Sequence, residues 1–211
     1  MWPGSQPFLV ADMSTATVVI APAGELSAAL AAGLDAGVID PTEPELPQAD
    51  GVVIVVGVDP AAEPLNTLDT DDWDRIVDAT MWDTLTALQH ARLSVRHAQG
   101  RIVLVLPTIG MAGAAGLVAY TTAIEGIRAM AKSASRQWAS QGVVVNAVAA
   151  PLQLFAPQLA AAANHLSAPA LPDDPSIVRS VVEAVKFLLQ PHLGHLVGDT
   201  IIVDGGSMML P

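Results

Sequence analysis

Three stretches constrain the fold of this chain more than any other feature: "GVVIVVGV" at 51–58, "RIVLVL" at 101–106 and "GVVVNAVAA" at 142–150. Each is a short run of consecutive β-branched and aliphatic residues, without the polar alternation of a strand that has one wet face. A strand of this kind is buried on both sides, so its sheet must be covered by helices above and below. Two further runs fit the series: "TATVVIAP" at 15–22, ended by proline, and "GDTIIVDGG" at 198–206, a last strand and turn. Helical segments fall between them. Residues 24–37, "GELSAALAAGLDAG", are alanine-rich with an acidic first turn and glycine at the end. Thr70 is the expected N-cap of a helix to about Gln99, with Trp73, Ile76, Val77, Thr80, Met81, Leu85 and Leu88 on one stripe. A long helix is expected over 117–140, and another from an Asp174 cap, with Pro175 first, to about Gln190. Strands alternating with helices predict an α/β fold, a doubly wound, Rossmann-like parallel sheet of about five to six strands.

Composition matters chiefly for what it excludes. The net charge of −12 is uneven: residues 1–100 hold fifteen Asp/Glu against three Lys/Arg, and residues 101–211 hold six of each. The acidic half repels nucleic acid and anionic lipid, so neither is expected as a partner. Two long runs almost without charge, at 102–127 and 143–172, are broken by Pro107 and glycines up to Gly116, and by Pro151, Pro157, Asn164 and His165. They read as buried interior rather than membrane spans. Without cysteine there are no disulfides or thiolate metal sites, and the N-terminus lacks a basic secretory n-region, so a cytoplasmic location is expected.

One residue invites a catalytic reading. Tyr120 is the only tyrosine, and it opens a helix of small residues after a strand and a Gly/Ala-rich loop. A tyrosine placed so could give or take a proton, but with a pKa near ~10 it needs a cation close by to do so at neutral pH. One helical turn later stands Ile124.

From about residue 50 onward the chain resembles the short-chain dehydrogenase/reductase family. The resemblance rests on "DTDDWDRIVDATMWDTLTAL", "GRIVLVLPTIGMAGAAGLVAY", "GVVVNAVAAP" and "VEAVKFLLQPHLGHLVGDTIIVDGG", in matching order and spacing over roughly 150 residues. It implies a nicotinamide-dependent oxidoreductase fold with Tyr120 at the catalytic tyrosine position, residues 15–211 forming one truncated domain of this type after an extension at 1–14. It also exposes departures. Where the family carries T-G-x-x-x-G-x-G, so that backbone can approach a pyrophosphate, this chain has "APAGELSAAL". The second and third family strands must fit between Val38 and Asp50, which leaves room for at most a very short strand. The family's N-N-A-G is "IVVG" at 54–57, its serine position is Pro107 with Thr108 adjacent, its lysine position is Ile124, and its helix asparagine is Thr80. Arg128 and Lys132 start about 12 and 18 Å from Tyr120 along a helix, too far to replace the lysine.

The expectation drawn from this pattern is a non-catalytic subunit with no cofactor. In the family, the two central helices and the last helix and strand join subunits, so the chain is expected to oligomerise with itself or with an active reductase of the same family. The alternatives are an oxidoreductase using NAD or NADP in a site completed by a partner, and a small-molecule binding module with 152–173 as a lid. The remaining polar residues have simpler roles. Tyr120 is expected half-buried with its hydroxyl on water or backbone, Asn146 bonding nearby backbone, and Asp204, Gly205 and Gly206 in a closing turn. His192 and His195 lack a third metal ligand, and the acidic run 69–74 lacks the glycine and distal glutamate of a calcium loop. Met208, Met209 and Leu210 form an apolar tail suited to a subunit contact.

Overall fold

A computed structural model describes residues 17–43, 45–57, 62–95, 99–166, 171 and 176–208. Six parallel strands form one sheet: β1 (Thr17–Ile20), β2 (Gly37–Ile39), β3 (Gly51–Val55), β4 (Arg101–Pro107), β5 (Val144–Ala150) and β6 (Thr200–Ile202), in the order β2-β1-β3-β4-β5-β6. The helices are α1 (Glu25–Leu34), α2 (Thr70–Trp73), α3 (Ala79–Ser94), α4 (Ile109–Ala112), α5 (Val118–Trp138) and α6 (Ser176–Leu188). A π-helical turn, Asp74–Asp78, joins α2 to α3.

The continuous apolar runs are explained by the register. Ile20, Ile54, Leu104 and Ala147 form one row across four strands, and they point to the layer that holds α3 and α5. Val19, Val53 and Val103 form the next row and point the other way, against Leu30 of α1 and Val181 and Val185 of α6. Every strand residue of β3, β4 and β5 is buried, as the sequence pattern requires. Close helix packing depends on one small residue: a Cβ on Gly33 of α1 would lie 2.4 Å from Cγ1 of Val182 on α6.

Several expected boundaries move, each for a local reason. The cap of α2 is Asp69, whose Oδ1 accepts from the Asp72 N–H at 2.9 Å, rather than Thr70. Helix α3 stops at Ser94 instead of running to Gln99, because Val95 turns extended and bridges to Ala49. There the β2–β3 connection docks on the helix end: the Ala49 N–H donates to the Ser94 carbonyl at 3.0 Å, and the Ser94 hydroxyl donates to the Pro47 carbonyl. On α3 the sheet-facing positions are the small Thr84, Ala87 and Ala91 as well as Leu88, while Leu85 is only partly buried. Helix α1 ends on Asp35 in the left-handed region (φ 50°), not on glycine, since Gly37 has already entered β2. The last helix ends at Leu188, and 152–173 contains two short 3₁₀ stretches, Leu152–Leu154 and Pro157–Ala163. The 1–14 extension, the Asp174–Pro175 cap, Met209 and Leu210 lie outside the described residues.

The edge strand β6 is held by Asn146. Its side-chain N–H donates to the Leu196 carbonyl and its Oδ1 accepts from the Asp199 N–H, both at 2.9 Å. Asn146→Leu leaves these two backbone groups unpaired, and it is expected to lower stability by about 1–3 kcal/mol in a urea titration without changing the m-value. The turn after β6 forms as anticipated: Gly205 and Gly206 have positive φ, and the Asp204 carboxylate accepts from the Gly206 and Met208 N–H groups at 2.9 and 2.8 Å.

Candidate functional site

In an open parallel sheet, ligands bind beyond the carboxyl ends of the strands, where the connections diverge to either side. Here that point lies between β1, whose chain continues outward to β2, and β3, whose chain continues the other way to β4. A cleft of about 570 Å³ opens there. Ile20, Ile54 and Val55 form its floor, the 40–42 segment one wall, and Thr80, Asp83 and Thr84 of α3 the other. The π turn lies beside it and contributes Arg75, which is paired with Asp72 at 2.9 Å. Such turns occur frequently at functional sites.

Asp40 is the residue that reading the sequence for a site overlooked. It follows the last residue of β2 and is exposed on the cleft wall, with Oδ1 accepting from both the N–H and the hydroxyl of Thr42, at 2.9 and 2.6 Å. These bonds hold its carboxyl below the usual carboxylate range. The available signal was an acid about 20 residues after the first strand, the position that takes a ribose hydroxyl in dinucleotide folds. Without the glycine pattern ahead of it, that signal did not stand out.

Tyr120 does not reach solvent. It is 0% exposed, and its hydroxyl is the one buried side-chain polar atom without a hydrogen-bond partner among the described residues. The expected half-buried ring is therefore corrected: the phenol is sealed between α5 and the sheet. Desolvation pushes its pKa up from the ordinary tyrosine value, since no neighbouring charge or donor favours the phenolate. Ile124, one turn along the same buried face, is also 0% exposed. Gly110 of α4 rests directly on it, and a Cβ there would sit 2.5 Å from Ile124 Cγ2.

The other positions offer little more. Pro107 ends β4 opposite Ala150, and Thr108 is buried at the start of α4 with its backbone N–H donating to the Ala150 carbonyl at 2.8 Å. Thr80 is buried and its hydroxyl donates back to the Ile76 carbonyl in the preceding π turn. Among the described residues no group of His, Asp or Glu could hold a metal, and no helix is long and apolar enough to cross a membrane.

A buried hydroxyl without a partner costs ~1–3 kcal/mol. Tyr120→Phe removes that hydroxyl and keeps the ring, so it is expected to raise stability by about 1 kcal/mol and Tm by ~2–4 °C. A fall in Tm by calorimetry would show that the hydroxyl has a partner after all.

Residues 36–208 match a family profile described as enoyl-(acyl carrier protein) reductase, one of the short-chain dehydrogenase/reductase group. The chain belongs to the short-chain dehydrogenase/reductase family. It is 29% identical over 171 residues to the short-chain dehydrogenase/reductase aba4 of Botryotinia fuckeliana, covering 74% of this chain and 65% of that one. To the 3-oxoacyl-[acyl-carrier-protein] reductase FabG of Vibrio cholerae it is 31% identical over 149 residues, covering 66% of this chain and 59% of the relative. The match thus spans less than two thirds of the length of these curated relatives. A solved small-chain dehydrogenase in complex with NADPH superposes with a TM-score of 0.74 at 17% identity, covering 92% of this chain and 98% of the other, a likeness of fold.

The family's nicotinamide dinucleotides can be tested against this cleft. Their diphosphate needs backbone N–H groups and bare backbone at the start of α1. The β1–α1 loop offers Pro22, which has no N–H, Ala23 with its methyl, and Gly24 alone among glycines. Glu25 then places a carboxylate in the first turn of α1, where a phosphate would lie. These residues do not fit the diphosphate.

Proposed function

We propose that this short-chain dehydrogenase/reductase homologue is a non-catalytic subunit that acts by assembling, with a second copy or with an active reductase of its family. The observation that carries the reading is the state of Tyr120, buried and unpartnered with Ile124 one turn away. A proton donor must touch its substrate and have its charge stabilised, and this phenol does neither.

The assembling surface is the outer side of α3 and α5. Trp82 and Leu93 are 63% and 76% exposed along α3, an unusual burden of apolar area for a face meant for water. The exposed acids Asp71, Asp74 and Asp78 precede them, while the exposed bases Lys132 and Arg136 lie toward the end of α5. Both helices run antiparallel to the parallel strands, hence parallel to each other. A two-fold axis that pairs them antiparallel with a neighbour's helices brings acids of one subunit toward bases of the other.

A second reading, an oxidoreductase whose site is completed by a partner, is favoured by Asp40, since an acid at the end of the second strand is what a ribose would meet. Titration with NADH and NADPH, followed by tryptophan fluorescence, separates the two. The expected result is no saturable binding below about 1 mM, weaker than ~4 kcal/mol. Micromolar binding would favour the enzyme. Light scattering at several concentrations, alone and after co-expression with a related reductase, tests the assembly. A monomer that recovers no partner would count against it.

A further inference from the structure

The cleft at the carboxyl ends of β1 and β3 is lined by two acids, Asp40 and Asp83, and one base, Arg75. We propose that it is a site for a small organic cation, an ammonium group on an apolar body, held between Asp40 and Asp83. The proposal rests on the non-catalytic reading above in one respect: the dinucleotide does not occupy the cleft.

The first observation is the cavity itself. At about 570 Å³ it lies within the range of small-molecule sites, and its floor of Ile20, Ile54 and Val55 is apolar. A second observation is the set of charges on it. Asp40 stands on one wall, fixed by its two bonds from Thr42, and Asp83 stands on the α3 wall. Arg75 is the lining cation, and its charge is matched by Asp72. Among the described lining residues two acids, Asp40 and Asp83, therefore stand against this one paired base. The third observation is at the helix start that follows the lining residues Pro22 and Ala23: Glu25 opens α1 and adds negative charge at a helix end that would otherwise favour an anion.

Field and geometry act together here. The half of the chain that builds the cleft carries fifteen acids against three bases, so cations are concentrated at its surface and anions are repelled. An apolar body covers the aliphatic floor while its ammonium donates to a carboxylate that Thr42 already orients, a charge-assisted bond with little left to order. Neutral analogues keep the floor contact and lose the bond. Anionic analogues meet repulsion as well.

A charge-matched series tests this by isothermal titration calorimetry on the full chain: 2-phenylethylamine as cation, 2-phenylethanol as neutral isostere and 3-phenylpropionate as anion. The amine is expected to bind at least ~10-fold more tightly than the alcohol, with the acid weakest. Asp40→Asn and Asp83→Asn, both at exposed positions, are each expected to weaken the amine several-fold and leave the alcohol unchanged. Raising salt should weaken the amine alone. Equal affinity for amine and alcohol overturns the proposal, as does failure of the amine to bind at about 10 mM, where a site of this kind is more than half filled. NADH is titrated alongside. Its micromolar binding would sink the non-catalytic reading whatever the amine does, so the two failures are read separately.

Discussion

Ile124→Lys, which introduces the lysine that the family resemblance implies at that position, is expected to unfold the protein rather than awaken it. The side chain at 124 is wholly buried, and Gly110 presses on it so closely that a glycine there leaves no slack. The acid beside that contact, Glu125, is partly exposed and already paired with Arg128, so an ammonium there has no acid of its own, and an unpaired buried charge costs ~3–5 kcal/mol. For a chain of this size that is a drop in Tm of roughly 6–20 °C. Ile124→Met serves as the control, since it alters shape while keeping volume and polarity and should cost under ~1.5 kcal/mol. Thermal melts of the two variants isolate the charge. A folded Ile124→Lys protein that reduces a carbonyl with NADH or NADPH would overturn the reading that the chemistry is gone, because it would mean one side chain was all that was missing.

The second large effect is expected at the opposite end of the sheet. Arg101 begins β4 and is almost wholly buried, and its guanidinium donates to the carbonyls of Gly100, Gly142, Gln190 and Pro191. Burial lowers its pKa from the ordinary arginine value. It ties the segment after α6 to the segment before β5, two parts of the chain with no strand pairing at that level. Arg101→Ala strands these carbonyls together and is expected to cost about 2–4 kcal/mol, a fall in Tm of roughly 4–16 °C. Arg101→Lys should recover only part of the loss, because three rotatable donors on a point charge cannot span what a planar fork reaches. Complete rescue by lysine would mean that charge, not the fork, makes the clamp.

Position 124 was singled out in the sequence by the family resemblance, whereas nothing in the sequence marked Arg101. The resemblance implies the family lysine position at 124, one helical turn after Tyr120, and the structure places Ile124 on the same buried face of α5 as Tyr120. The strand runs were legible for a similar reason: residues buried on both faces admit no polar alternation, so a sheet between two helical layers follows from the pattern. Thr70 in place of Asp69 as the cap was a one-residue error of the kind expected where two good capping residues adjoin. The choice of Leu85 over the smaller Thr84, Ala87 and Ala91 was an error of another kind. Close packing of α3 on the sheet selects small side chains, and hydrophobicity scales give these little weight.

Local sequence therefore determined the alternation of strands and helices along the chain and the burial of the central strands on both faces, because each depends on neighbours within a turn or a strand. Only the tertiary structure decided that Tyr120 is sealed, that Arg101 clamps two distant loops, and that Asp40 and Asp83 line one cleft. Burial and charge pairing arise from segments brought together across the sheet, and no spacing along the chain encodes how deep a side chain will lie or which other charge will face it.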